Sequence, residues 1–251
     1  MVLQAQEGRL TGSVKAAARV LVATAVPAER DAVARAFTDV TTEVRLPGSP
    51  PLLRTAGGYD LLAAGVGPAL AAAGTATALT AAALDGRPYT LVVSAGIAGG
   101  FQPEAPVGSL VVADEITVAD LGAETADGFL PVTELGFGTV SHHPLNSLVR
   151  VTAQATGAHP GAVLTVSTVT GTAARAAELR ARHPRALAEA MEGFGVAEAA
   201  TAHGVPVLEL RAVSNPVGPR DRAAWRIGDA LDALTEAFGK LAPALESWES
   251  A

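Results

Sequence analysis

The stretch Leu208-Glu209-Leu210-Arg211-Ala212-Val213-Ser214-Asn215, with Met191-Glu192-Gly193 a short way upstream, decides how this chain is read. Apolar residues alternate from Val205 to Val213, and Gly204-Val205-Pro206 and Asn215-Pro216 bound the run, which is the pattern of a buried strand. Such a strand delivers Ser214 and Asn215 to a sheet edge. Ligands of open α/β sheets bind at the carboxyl ends of strands, so two small hydrogen-bonding residues at that end mark a candidate site. Glu192 is the expected partner.

Working outward, Arg19 to Ala23 is a short apolar strand, Thr24-Ala25-Val26-Pro27 a turn, and Ala28 to Phe37 a helix. A hairpin region follows around Pro47 to Gly58. Tyr59 to Ala64 is a strand, Gly65-Val66-Gly67-Pro68 its turn, and the Ala-rich segment Ala69 to Leu84 a buried helix. Tyr89 to Ser94 is a third strand, running into Ala95-Gly96-Ile97-Ala98-Gly99-Gly100. In the middle, Ser109 to Ala113, Glu115 to Val118 and Ala162 to Val169 are strand candidates. Ala173 to Arg182 is a helix capped near Thr170-Gly171-Thr172, while Ala186 to Met191 stays ambiguous between helix and strand. Asp221 to Leu245 closes the chain as an amphipathic helix with Ile227, Leu231, Leu234, Phe238 and Leu241 on one face. Alternating strands and helices predict an α/β fold with a largely parallel sheet.

The 251 residues suit one large domain, and no linker or charge run divides them. We expect a disordered arm over residues 1–17 and one catalytic domain over 18–251. A net charge of -7, with 18 scattered Arg and Lys, argues against a nucleic-acid partner and favours a small molecule. The chain has no cysteine, which removes disulfides, thiol nucleophiles and thiolate metal sites and fits a cytoplasmic protein. The polar opening, Met1 to Lys15, is neither a signal peptide nor a membrane span.

Taken singly, the polar motifs keep two readings each. Glycines from Gly96 to Gly100 let backbone amides approach a ligand, or simply make a tight turn. Glu192, in an apolar neighbourhood, either serves a ligand or forms a structural salt bridge to Arg211. Glu29 is either a working carboxylate or a solvated first-turn residue favoured by the helix dipole. His142 and His143 are adjacent and diverge on any regular element, so no metal site is expected. No Walker loop, dinucleotide fingerprint or serine triad is present.

Together these pieces form one ordered series: a glutamate after the first strand, Gly-Xaa-Ala-Gly-Gly after a middle strand, Met-Glu-Gly before a helix, and Arg-Ala-Val-Ser with an amide residue. The chain resembles the nucleoside phosphorylase and nucleosidase superfamily over about Val20 to Leu245, close in pattern to methylthioadenosine/S-adenosylhomocysteine nucleosidases and closer still to futalosine hydrolases. The most specific run is Ser214-Asn215-Pro216-Val217-Gly218-Pro219-Arg220-Asp221.

The resemblance implies a three-layer α/β/α sandwich around a mixed, barrel-like central sheet. It implies cleavage of the N-ribosidic bond of a nucleoside without metal or organic cofactor, by a homodimer or higher homo-oligomer. Glu29 then matches the residue that activates water, Met191 and Glu192 the pair that packs under and hydrogen-bonds the ribose, and Asn215 the residue that meets the base. Gly96, Ile97 and Ser214 join the substrate site. Asn215 replaces the aspartate of adenine-releasing enzymes, and an amide N–H suits the C6 carbonyl of hypoxanthine. The expected reaction is therefore futalosine hydrolysis to hypoxanthine and dehypoxanthine futalosine, in menaquinone biosynthesis. Ile97 stands where adenine-specific enzymes have serine, and the aromatic expected near Gly171 is missing, so Phe194 is expected to stack on the base. Hydrolysis is expected over phosphorolysis because the 94–101 segment carries no cation and Arg30 is the sole basic neighbour of Glu29 in sequence. The alternatives are a methylthioadenosine/S-adenosylhomocysteine nucleosidase, a purine nucleoside phosphorylase, and a silent nucleoside-binding protein.

Overall fold

A computed structural model describes residues 19–249, so the arm expected over 1–17 lies outside the described residues. The chain runs β1 (Val20–Thr24), α1 (Pro27–Ala34), β2 (Val40–Val44), β3 (Leu52–Thr55), β4 (Tyr59–Ala63), α2 (Pro68–Leu84), β5 (Leu91–Gly100) and β6 (Leu110–Val118). It continues through the small hairpin β7 (Gly122–Thr125) and β8 (Gly128–Pro131), then β9 (Ser141–His142), α3 (Asn146–Thr156), β10 (His159–Thr165) and α4 (Ala173–Arg182). The last elements are β11 (Ala186–Ala190), α5 (Gly193–Ala202), β12 (Val207–Pro216) and α6 (Ile227–Glu249).

One large mixed sheet has the order β11-β10-β6-β12-β5-β1-β4-β3-β2, with β9 beside β6. β11 also pairs antiparallel with the end of β5, at Ala188 to Gly100 and Glu189 to Gly99. That extra seam closes five strands into a ring, because β5, β12, β6, β10 and β11 each then have two neighbours within it. Parallel β1 and β4 extend the sheet beyond β5, and antiparallel β3 and β2 finish it.

The apolar residues of the parallel strands alternate between two cores, since successive side chains leave opposite faces. Leu21, Ala23, Val92 and Val213 pack with α2 and α5, while Val20, Val22, Val93 and Leu210 pack with α3 and α6. Both faces are thus covered, which explains strands apolar almost throughout. The result is the expected three-layer arrangement, with α4 covering a third, smaller core around Phe101 and Leu179.

The structure departs from the sequence reading at several points; the strand expected over Ala162 to Val169, for one, is β10, over His159–Thr165. The glycine cluster from Gly96 to Gly100 is the second half of β5, hydrogen-bonded to β12 on one side and β11 on the other, rather than a turn. The two strands expected over Ser109 to Val118 are one, β6. The last helix begins at Ile227, because Asp221 Oδ1 accepts the Ala223 N–H at 3.1 Å and starts a separate 3-10 turn over Arg222–Ala224. Ile227 is accordingly exposed, whereas Leu234, Phe238 and Leu241 are buried as their spacing predicts.

Candidate active site

The carboxyl ends of β1, β5, β11 and β12 surround a cavity whose wall includes Glu29, Ile97, Met191, Glu192, Ser214 and Asn215. Six of the eight residues expected in the site therefore share one space. Gly96 and Phe194 do not join that wall.

Glu29 stands in the first turn of α1, two residues after Pro27, where proline is tolerated because the first helical N–H has no partner within the helix. Its carboxyl turns back into the protein. Oε2 accepts the N–H groups of Ala25 at 2.9 Å and Val26 at 3.3 Å, and Oε1 accepts the Ile97 N–H at 2.9 Å. Glu29 is only 5% exposed, so it is no solvated helix residue. Burial raises its pKa above the ordinary carboxylate value, while Arg211 and the backbone donors pull the other way.

Gly96 has a negative role: a Cβ there would lie 2.6 Å from Glu29 Oε1 and 2.8 Å from Arg211 Nη1. Only a bare α-carbon lets both charged groups press against β5. Arg211, fully buried on β12, donates from Nε to Glu209 Oε1 at 2.8 Å, from Nη2 to Ser94 Oγ at 3.0 Å, and from Nη1 to Glu192 Oε2 at 3.4 Å. The salt bridge to Glu192 is thus present, and Glu192 lines the cavity as well. Glu192 Oε1 also accepts the Gly67 N–H at 3.2 Å, which ties α5 to the loop before α2.

Three carboxyl groups, from Glu29, Glu192 and Glu209, therefore share the guanidinium of Arg211. Burial raises the pKa of Glu209 despite its bond to Arg211, and its Oε2 is buried without a hydrogen-bond partner. Sequence reasoning gave Glu209 no role and Arg211 only a structural one. The signal was available: charged residues two apart on a buried strand face the same side, here the side of Val207 and Val213. Arg211, from a distant segment, brings to Glu29 a positive charge that neither the 94–101 segment nor the sequence neighbours of Glu29 supply, apart from Arg30.

Asn215 ends the series on β12. Its Oδ1 lies 2.8 Å from Ser214 Oγ, which donates to it, and its Nδ2 donates to Pro216 O at 3.0 Å. This fixes the amide orientation and leaves the second Nδ2 proton for a ligand.

Phe194 is a correction. It is buried in α5 with its N–H on Thr165 Oγ1, and its ring packs 5.3 Å from that of His142, in the core beside the cavity wall. Trp225, in the loop between β12 and α6, is the aromatic on the wall, with the Arg220 guanidinium 5.3 Å from its ring centre. Glu189 and Thr170 line the wall as well. Among the described residues no cluster of three metal-ligating side chains occurs, and His142 instead contacts Glu198 at 2.8 Å.

The sequence pattern of the phosphorylase superfamily matches residues 19–246. A futalosine hydrolase of Streptomyces coelicolor is 80% identical over 230 residues, covering 92% of this chain and 97% of that protein. Among solved structures, the native futalosine hydrolase of Helicobacter pylori matches with a TM-score of 0.76 at 16% identity, covering 90% of this chain and 97% of the other. A 5'-methylthioadenosine/S-adenosylhomocysteine nucleosidase from Neisseria meningitidis, in complex with methylthio-immucillin-A, matches with a TM-score of 0.74 at 20% identity, covering 91% and 99%.

Proposed function

The chain belongs to the phosphorylase superfamily and to its futalosine hydrolases, and on that footing we propose that this cavity hydrolyses the N-ribosidic bond of futalosine with Glu29, Glu192 and Asn215 as its working groups. Breaking the bond leaves cationic character on the ribose and negative charge on the departing hypoxanthine. A site that lowers the barrier must favour both halves more in the transition state than in the substrate.

Glu192 faces the ribose beside Met191, and a charge-assisted hydrogen bond from a ribose hydroxyl contributes about 1.5–3 kcal/mol. Its anionic charge gains as the sugar becomes cationic. Asn215 donates its free amide proton to the oxopurine and stabilises the negative charge that develops there. Glu29 takes the proton of the attacking water, and burial makes it a stronger base than an exposed glutamate.

The observation that carries this assignment is the single guanidinium shared among three carboxyl groups. A phosphate nucleophile needs a cation free to bind it, and the one guanidinium at this end is already engaged by Glu192 and Glu209, with the Glu29 carboxyl beside it. Water is the nucleophile that such an arrangement leaves room for. Homodimeric assembly and a cytoplasmic location go with the same reading; among the described residues no helix is long and apolar enough to cross a membrane.

The test is incubation with futalosine, inosine and methylthioadenosine, with and without phosphate, following free base by chromatography. Hypoxanthine release from futalosine at a rate indifferent to phosphate is the expected result. Acceleration by phosphate would make the protein a phosphorylase, and preferential release of adenine would move it to the methylthioadenosine-type nucleosidases.

A further inference from the structure

Glu189 is a buried carboxylate in the cavity wall that the chemistry above leaves unused. It is 5% exposed, and its bonds run to one residue: Thr170 donates its N–H to Oε1 at 2.8 Å and its Oγ1 proton to Oε2 at 2.5 Å. No ion pair reaches it among the described residues. A carboxylate has about four acceptor positions, and these bonds take two. Burial disfavours its charge, and only the Thr170 donors and the longer-range charge of Arg175 ease it, so a site that retains such a group on a cavity wall has a use for an acceptor there.

The sheet register says what it faces. Glu189 on β11 is the partner of Gly99 on β5, and Asn215 on β12 is the partner of the same Gly99 from the other side. Registered neighbours project to the same face in a regular ladder; β12 bulges between Val213 and Asn215, so the direction of Asn215 is given by its contact instead. A Cβ on Gly99 would lie 3.3 Å from Asn215 Nδ2, which shows that the amide leans over the bare glycine. Glu189 and Asn215 therefore flank one gap, about two strand spacings or roughly 9–10 Å wide at the backbone. A flat heterocycle that fills the gap meets an amide donor at one edge and a carboxylate acceptor at the other.

We infer that Glu189 is a specificity-determining residue that accepts the N1–H of a 6-oxopurine, while Asn215 serves the acceptor edge of the same base. The inference rests on the 6-oxopurine reading proposed above and extends it. A 6-oxopurine carries a proton on N1, whereas a 6-aminopurine carries a lone pair there. Facing Glu189, the lone pair would bring two acceptors together and leave both unpaired, which discriminates by about tenfold or more. Thr170, bonded to both carboxylate oxygens, holds the group in place.

The experiment measures inhibition of futalosine hydrolysis by hypoxanthine, 1-methylhypoxanthine and adenine, for the wild type, Glu189→Gln and Glu189→Ala. The wild type should bind hypoxanthine at least about tenfold more tightly than either other base. In Glu189→Ala the preference over 1-methylhypoxanthine should collapse towards unity. Glu189→Gln keeps the size and the Thr170 contact but can turn an N–H towards adenine N1, so its hypoxanthine-to-adenine ratio should fall. A merely structural role would lower all three affinities together. Wild type that ignores N1 methylation, or Glu189→Gln with an unmoved ratio, overturns the inference even if Glu189→Ala does not fold. If the wild type releases adenine and spares futalosine, the functional reading fails and takes this one with it; normal futalosine turnover with unmoved ratios defeats Glu189 alone.

Discussion

Two buried charge clusters sit at opposite ends of the same parallel strands, and they balance their charges in opposite ways. At the amino ends of β1, β4 and β5, Asp60 accepts from Arg19 at 2.6 Å, Tyr89 at 2.6 Å and Arg54 at 2.9 Å. Burial disfavours the Asp60 anion, but those donors outweigh it and hold its carboxyl below the ordinary value. At the carboxyl ends, Arg211 answers Glu29, Glu192 and Glu209 together, and burial wins for Glu29 and Glu209, whose carboxyls rise. Burial is common to both clusters. What separates them is the ratio of donors to acceptors: the acceptor-rich end opens on the cavity that holds Glu29, Glu192 and Asn215, whereas Arg19, Arg54 and Tyr89 of the donor-rich end line a separate cavity. A satisfied cluster fastens the sheet, whereas the under-compensated one holds the raised carboxyl of Glu29 that we propose as the base.

The sharpest way to break this comparison is Glu29→Gln. The amide keeps the size but cannot take a proton from water, so kcat should fall by about 10²–10⁴-fold with nucleoside binding preserved. Near-native turnover would remove Glu29 from the chemistry. At the other end, Asp60→Ala leaves two arginines facing each other without their shared anion, and should cost about 3–5 kcal/mol of stability in urea unfolding. The residual folded enzyme should keep its kcat. A loss of kcat at undiminished folding would join the two clusters functionally.

Stability against pH sharpens the contrast further. The Asp60 contribution is fully present above the unfolded value, near 3.8, and is lost as pH falls through the lower folded pKa. Glu29 and Glu209 behave in the opposite sense: their contribution is fully present below about 4.5 and is lost as pH rises through the raised folded values. Wild type should therefore gain stability on mild acidification from neutral pH and lose it only in stronger acid. Urea titrations across that range should show Glu29→Gln flattening the gain. The smallest expected effect is a change of preference. Asn215→Asp replaces a donor with an acceptor and should lower futalosine efficiency relative to an adenine nucleoside by roughly tenfold. An unchanged ratio of kcat/KM values would detach Asn215 from base recognition.

The parallel strands and both long helices were legible because their signals are local: periodicity, a proline at a helix start, glycines at turns. Glu29, Glu192 and Asn215 were legible through ordered motifs. Phe194 was misplaced because an aromatic next to Met-Glu-Gly carries no mark of the helix face that takes it, and α5 turns it into the core. Arg211 reaches Glu192, and Glu189 reaches the cavity wall, only when distant strands come into register, and the β11 to β5 seam is not written in any single segment. The glycine run was ambiguous for a related reason, since a strand stripped of side chains looks like a turn until its two neighbours are known.

That stripped strand limits how this enzyme can change its substrate. At Gly96 a methyl would strike Glu29 and Arg211, at Gly100 it would strike Ala105 and Val213, and at Gly99 it would press on Val217 and the Asn215 amide. The second half of β5, of which Gly99 lines the cavity while Gly96 and Gly100 lie behind it, is thus closed to innovation by addition. New preferences must be written in the margins, on β11 and on the end of β12, where a saturation library should find nearly all of its altered-specificity variants.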